Sequence, residues 1–395
     1  MNSQKSGSLP IFALAFRPLF LFGTIFSILA ISWWSYFWLN PNDWTPYGGH
    51  IWWHSHEMLF GFGIAIVTGF LLTAVRNWTG VPGIGGTLLA GLVVVWLAGR
   101  IVISFGEALP WWTILSIDVS YLLLAAIALA YPIIKVKQWR NLMFIPILLV
   151  LALLNGISHW SVASNQPEIA VKVIHATIIL FTLIIAIMGG RVMPMFTANG
   201  VGCKKSNPIM WLDTISIVSI LAMVTIALIG FNQVDSLLLF CVSTIAAIAN
   251  AIRFSRWGIQ HTWSIPLLWS LHLSYIFIPI GFALLACYSM GWINNLSASL
   301  HSFTVGAIGG MILSMISRVS LGHTGRPLKA HKLLTIAYAL ILVATLIRMI
   351  VPIWLPSFYN LSIGISGLLW AIAFLFFVII YAPMLLSRRA DGSPG

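Results

Sequence analysis

Apolar residues run through this chain in long blocks separated by short polar gaps. A membrane-spanning helix needs roughly 20 apolar residues. Blocks of that length fall near residues 17–39, 52–75, 84–104, 111–134, 141–160 and 168–192 in the first half. In the second half they fall near 210–230, 236–254, 264–288, 296–319, 331–353 and 360–386. The pattern predicts an all-α polytopic transmembrane helix bundle of about twelve spans, because only helices close every backbone hydrogen bond within one segment in lipid. The longest polar connections, Thr197–Pro208 and Gly322–Lys332, hold about a dozen residues each. Residues 1–395 therefore read as a single integral membrane domain. The first 16 residues lack a signal-peptide cleavage pattern and the block after them is long enough to span, so it is kept as a helix.

Within this pattern three segments share an order of features. HSHEMLFGFGIAIVTGFLLTAVRNWTG from His54, HATIILFTLIIAIMGGRVMPMFTANG from His175 and HSFTVGAIGGMILSMISRVSLGHTG from His301 each open on histidine. Each then runs through a glycine-containing apolar stretch, reaches an arginine and closes on T-G or N-G. The closing glycines Gly80, Gly200 and Gly325 are spaced by 120 and 125 residues, and His56, His175 and His301 by 119 and 126. Four spans fit in each interval. This suggests a three-fold repeat of four-helix units, 15–140, 141–260 and 261–386, although apolar helices capped by arginine also look alike by composition. Spans 2, 6 and 10 then run parallel, with histidines near one face and Arg76, Arg191 and Arg318 near the other, roughly 24–30 Å away. Their glycines favour close packing and central positions, or leave room for a flat ligand.

Composition agrees with a lipid solvent. Hydrophobic residues make up 60% of the chain and charged ones 7%, with a mean hydropathy of +0.99. A soluble domain carries about 25% charged residues. Seventeen of the 20 basic residues fall on one side of the twelve-span layout: Lys5, Arg17, Arg76, Lys135, Lys137, Arg140, Arg191, Lys204, Lys205, Arg253, Arg256, Arg318, Arg326, Lys329, Lys332, Arg388 and Arg389. Only Arg100, Lys172 and Arg348 fall on the other. Basic residues stay on the non-translocated side, which places both termini in the cytoplasm. The net charge of +12 is then topology and calls for no nucleic-acid partner. Cys203, Cys241 and Cys287 are scattered, and no C-x-x-C-H is present, so any haem is held without thioether bonds.

Ionisable groups inside spans are costly and therefore worth testing for function. His54 and His56, two apart on a helix, point roughly 200° from each other, so one can ligate while the other faces a second helix or a second metal. His50 would share a face with His54, but Gly48-Gly49 places it in the preceding loop. His56, His175 and His301, brought to one depth by the repeat, would converge on a metal or haem site, because imidazole suits iron and copper. His272 in W-S-L-H-L-S-Y adds a fourth, nearer mid-membrane. Taken singly, each histidine is equally well explained by a hydrogen bond to a neighbouring carbonyl. Glu57 can orient His56, relay protons, or face outer water. Asp118 is a proton-path group or a hydrogen-bonded structural carboxyl. Arg191, Arg318, Arg326 and His323 form a basic inner cluster suited to haem propionates or another anion, although topology alone also places arginines there. Met58, Met193 and Met195 read as packing. Trp33, Trp34, Trp52, Trp53, Trp111 and Trp112 read as interfacial belts.

W-H-S-H-E-M-L-F-G-F at Trp53–Phe62, M-G-G-R-V-M-P at Met188–Pro194 and S-R-V-S-L-G-H-T-G-R at Ser317–Arg326 resemble the NnrS family. A-F-R-P-L-F at Ala15–Phe20 and L-H-L-S-Y at Leu271–Tyr275 fit it too. The resemblance implies a bacterial inner-membrane protein carrying haem b, alone or with copper, that binds and detoxifies or reduces nitric oxide under nitrosative stress. Its partners would be nitric oxide, the lipid bilayer and an electron donor of unknown identity. His54, His56, Glu57, His175, His272, His301, Arg318, His323 and Arg326 match motif positions, without individual ligand assignments. The adjacent His-His pair of ordinary haem–copper oxidases is missing.

Three functions follow for comparison. The first is a nitric-oxide-handling oxidoreductase with haem on the outer histidines and Glu57 supplying protons. The second is a proton-coupled transporter or exporter without haem, using the histidines and Asp118. Its usual inverted two-fold repeat differs from the pattern here. The third is a sensor or haem-delivery protein, for which no signalling domain is evident.

Overall fold

The computed structural model describes residues 9–392. Among them are helices and connections only, with no strand. Twelve helices are long and apolar enough to cross a membrane. They are α1 Phe16–Leu39, α2 His50–Thr79, α3 Gly86–Phe105, α4 Trp111–Lys135, α5 Trp139–Ala163 and α6 Pro167–Val201. The others are α7 Met210–Ile229, α8 Ser236–His261, α9 Pro266–Ser289, α10 Leu296–His323, α11 Lys332–Trp354 and α12 Pro356–Leu386. Every expected span is present. Lys5, counted in the charge asymmetry, lies outside the described residues.

Local chemistry sets the ends. Asp235 and Asn295 accept from the backbone N–H of Leu238 and Ala298, both at 3.0 Å, and so cap α8 and α10. Gly80 and Gly202 close α2 and α6 in the left-handed region, at φ +69° and +70°. The expected closing glycine of α6, Gly200, is still helical. The helix continues through M-P-M-F-T-A-N-G, with Pro194 inside it and buried. With Gly202 in that role the spacings become 202 − 80 = 122 and 325 − 202 = 123, more even than the sequence pairing. At the other end of α2, Gly48 and Gly49 turn the chain at φ +78° and +79°, and His50 becomes the first helical residue rather than part of the loop. Its ring stacks on Phe37 at 3.8 Å.

Consecutive helices pack side by side from α3 through α10, and α1 packs along both α2 and α12, so the first and last spans lie together. The most buried spans are α2 (78%), α10 (78%), α6 (67%) and α9 (67%), against 56% or less for the rest. The three helices carrying the shared pattern are therefore interior, and α6 touches both α2 and α10. Their glycines serve close packing. Gly63 abuts Phe181, Gly189 abuts Tyr275, and Gly306 and Gly309 lie under Phe277 and Trp370. Peripheral helices turn Leu88, Ile101, Ile127, Leu153 and Ile248 outward, as a lipid-facing surface requires.

The tryptophans divide. Trp33, Trp111 and Trp112 are exposed near helix ends, as a belt residue is. Trp34, Trp52 and Trp53 are buried instead. Trp52 and Trp53 donate to Ser158 Oγ at 2.8 Å and Ser104 Oγ at 3.1 Å, which satisfies indole N–H groups that burial would otherwise orphan.

Candidate functional site

α2 and α10 share a local departure from α-helical geometry. Directly after His56 the backbone widens into a π-helical stretch, Glu57–Gly63, and directly after His301 into another, Ser302–Gly309. Such wide turns rotate the side chains that follow and recur at functional sites. α6 carries none, so the likeness between the repeat helices is closer for the first and third copies.

Above these turns a cavity of about 450 Å³ opens between α1, α2, α6, α10, α11 and α12. Its size suits a small molecule or cofactor. His54, His175 and His301 all line it, one from each interior helix, among mostly apolar neighbours such as Trp34, Met58 and Trp370. His54 stacks on Trp34 at 4.5 Å, and its Nδ1 is buried with no hydrogen-bond partner among the described residues. His175 stacks on Phe231 at 5.3 Å. His301 Nδ1 lies 2.7 Å from the Ser297 carbonyl. A carbonyl only accepts, so Nδ1 carries the proton and Nε2 the lone pair, the state in which imidazole binds a metal. That lone pair accepts from Arg348 Nη2 at 3.1 Å. Arg348 is buried and is the only arginine or lysine lining the cavity among the described residues.

His56 points the other way, as its two-residue offset from His54 requires. It enters a fully buried polar network built from α2, α3, α4 and α5. His56 Nδ1 meets Glu57 Oε1 at 3.1 Å, and its Nε2 meets Asn155 Oδ1 at 2.8 Å and Asp118 Oδ2 at 3.2 Å. Asn155 Nδ2 donates to Asp118 Oδ2 at 2.6 Å, which fixes the amide orientation and leaves its oxygen toward His56. Arg100 donates to Glu57 Oε1 at 2.6 Å and to Asp118 Oδ1. His159 Nε2 lies 3.3 Å from Asp118 Oδ2. Both ring nitrogens of His56 thus face oxygen, and an imidazolium makes both contacts. With Glu57 and Asp118 ionised and Arg100 charged, that proton brings the network to neutrality, the cheapest arrangement inside a membrane protein.

The network accounts for several sequence expectations. Glu57 orients His56 and does not face outer water, since it is fully buried. Asp118 is a hydrogen-bonded carboxyl. His56 does not join His175 and His301; His54 does. Neither Glu57 nor Asp118 lines the outer cavity.

The remaining predicted residues lie elsewhere. His272 donates or accepts among the Leu268 carbonyl at 3.0 Å, the Trp257 carbonyl at 3.4 Å and Thr197 Oγ1 at 3.4 Å. Thr197 is 22 residues along α6 from His175, about 33 Å at 1.5 Å each, so His272 sits at the opposite end of the bundle. The basic residues Arg191, Arg318, Arg326 and His323 each have a neighbour of their own. Arg318 lies over the Phe196 ring at 4.2 Å, and Arg191 contacts Met143 Sδ at 3.3 Å. His323 packs on Phe16 at 5.5 Å, and Arg326 donates to the Thr324 carbonyl at 3.3 Å. None of these four lines the cavity of His54, His175 and His301, so none is placed to meet a group bound there.

Sequence reasoning missed Arg100, Arg348, Asn155 and His159. The first two were visible as departures from the positive-inside pattern. The last two are four apart on α5 and share a face.

The family model of the NnrS protein matches residues 10–389. The chain belongs to the NnrS family. No curated protein matches it at a significant level. The NnrS-like block W-H-S-H-E-M spans the wall between the two outer sites, with His54 on the cavity and His56-Glu57 in the network. The L-G-H-T-G-R block lies at the far end of α10.

The glycines of that first block are tightly placed. A Cβ at Gly61 would stand 2.7 Å from Arg100 Nη1 and 3.0 Å from Glu57 Oε2. Gly61→Ala is expected to cost about 1–3 kcal/mol by pushing the ion pair apart. Thermal unfolding in detergent measures it. A shift no larger than that of Gly91→Ala, where a Cβ meets nothing, would show that the network has slack.

Proposed function

We propose that this multi-pass membrane protein holds haem b in the outer cavity and there binds and reduces nitric oxide. The observation that carries the reading is the meeting of His54, His175 and His301, from three interior helices, in one apolar cavity of about 450 Å³. The residues fit the group. Two imidazoles have a nitrogen suited to ligation, the orphaned Nδ1 of His54 and the Nε2 of His301, whose lone pair Arg348 holds and would release on turning to a propionate. Arg348 supplies a cation for the propionates. Haem when bound supplies an iron that binds nitric oxide and passes electrons.

The chain's own groups set the conditions. The mostly apolar cavity walls suit a small apolar gas that dissolves in the bilayer. The Ser297 carbonyl holds His301 in its ligating tautomer. Joining two nitric oxide molecules as nitrous oxide and water consumes two electrons and two protons, and an external one-electron donor is required. The His56–Glu57 pair, one helix face behind His54, holds a proton between a ring nitrogen and a carboxylate and would serve as a reserve. Its role is supply and positioning, since neither residue touches the cavity. His56, Asp118 and His159 offer two imidazoles and a carboxylate within 4.8 Å of one another, a donor set suited to copper, which would replace the His56 proton.

The same buried ionisable network favours the second reading, a proton-coupled transporter without haem. Anaerobic nitric oxide consumption by the purified protein, with reductant supplied, separates the two. Turnover above that of free haem supports reduction. Turnover equal to free haem sinks it.

A further inference from the structure

On the face that gathers the basic residues, a second cavity of about 350 Å³ opens between α5, α6, α7 and α8. Arg140, Arg191, Lys205 and Arg256 stand around it, with Arg253 on the wall and Asp213 its single acidic residue. Asp213 is already engaged, because Arg253 Nε donates to its Oδ1 at 2.7 Å. The other Arg253 N–H groups go to Ser216 Oγ, Tyr275 Oη and the Ala186 carbonyl. Five cations against one anion leave 5 − 1 = +4 on the lining. Arg191 is the informative member. Its guanidinium meets only the Met143 sulfur and the Phe144 ring, and no oxygen acceptor among the described residues.

The positive-inside rule explains basic residues in the loops of this face. It does not explain four of them around one cavity whose only carboxylate is spent on a fifth. Apolar side chains of the same helices, Leu212, Ile217 and Trp257, complete the lining. Basic and apolar side chains together in one lining match a phosphate ester attached to an acyl chain, and basic pockets between spans bind such headgroups.

We propose that this cavity is a phosphate-binding site, filled by the headgroup of an anionic phospholipid or by the free anion. Each planar arginine fork can pair with two oxygens of a tetrahedral phosphate. This site is independent of haem and of nitric oxide.

Native mass spectrometry of the full-length protein in detergent tests it with phosphatidylglycerol, phosphatidylcholine and inorganic phosphate as probes. Phosphatidylglycerol is expected to bind in preference to phosphatidylcholine. Each basic residue near the headgroup contributes about fivefold, so Arg140→Gln with Arg191→Gln weakens phosphatidylglycerol binding about 25-fold. Lys135→Gln with Arg388→Gln removes the same charge away from the cavity and leaves binding unchanged. Arg191→Lys, which keeps the charge and loses the fork, weakens binding less than Arg191→Gln does. Lys205→Gln, on an exposed connection, gives the single-residue loss should the double variant not fold. Displacement of the lipid by millimolar inorganic phosphate assigns recognition to the anion alone, and resistance assigns it to the lipid. Equal binding by the wild type and the cavity variants, or equal binding of the two lipids with no effect of phosphate, overturns the proposal.

Discussion

Arg100→Leu is expected to lower the stability of the detergent-solubilised protein by about 3–5 kcal/mol, the largest single effect predicted for this chain. Arg100 is buried and donates to both Glu57 and Asp118, whose carboxylates have no solvent access. Removing it leaves two buried negative charges with only His56 to offset them. The cost comes from that orphaned charge more than from the value of the pair itself. It follows that Arg100→Leu combined with Glu57→Gln and Asp118→Asn should recover much of the loss, because residues in one network are not additive. Thermal unfolding and the yield of monodisperse protein read both effects. A single-variant loss below about 1 kcal/mol, the range of an exposed ion pair, would mean that water reaches the network.

The second large effect concerns the cofactor. His301→Ala is expected to lower haem occupancy of the purified protein at least about tenfold, since even the partners of a ligand are worth 10–100-fold in metal affinity. His301 is selected because the Ser297 carbonyl commits its Nδ1 proton and leaves the lone pair on Nε2, where Arg348 now donates to it. His54→Ala should act in the same direction, through loss of the unpaired Nδ1 and of the stack on Trp34. His272→Ala is the contrast. That ring is held by carbonyls at the other end of the bundle, so its removal should change stability and leave haem content alone. Equal haem in the His301→Ala and wild-type proteins would remove His301 from the ligand set.

The spans were legible because lipid imposes one demand on every residue of a helix at once, and that demand is written in length and apolarity. Their ends were less so. α6 continues past residue 192 to Val201 because a proline inside a packed helix need not end it, and capping falls to Gly202. The interior place of α2, α6 and α10 could be read from shared glycines and histidines. Which imidazoles meet could not. The offset between His54 and His56 guarantees that they diverge, but the direction each takes depends on how α2 is rotated in the bundle, and rotation is set by packing. The repeat pairing chose His56, and the cavity holds His54. Arg100 and Arg348 carried a readable signal, because a basic residue placed apart from the others breaks the charge pattern, and one inside a span must have a local partner. In the structure those partners are Glu57 and Asp118 for Arg100, and His301 for Arg348. The polar tryptophan edges at Trp52 and Trp53 show the same limit, since a belt residue and a buried donor share one composition.

The most direct test of the account is the optical spectrum of the detergent-purified protein, reduced with dithionite, before and after addition of nitric oxide. A b-type haem spectrum that shifts on adding nitric oxide, and that is lost in His301→Ala, is the result the outer cavity predicts. A colourless protein that stays so after incubation with haem would contradict it, and would leave the buried Glu57–Arg100–Asp118 network as the centre of a proton-coupled transporter.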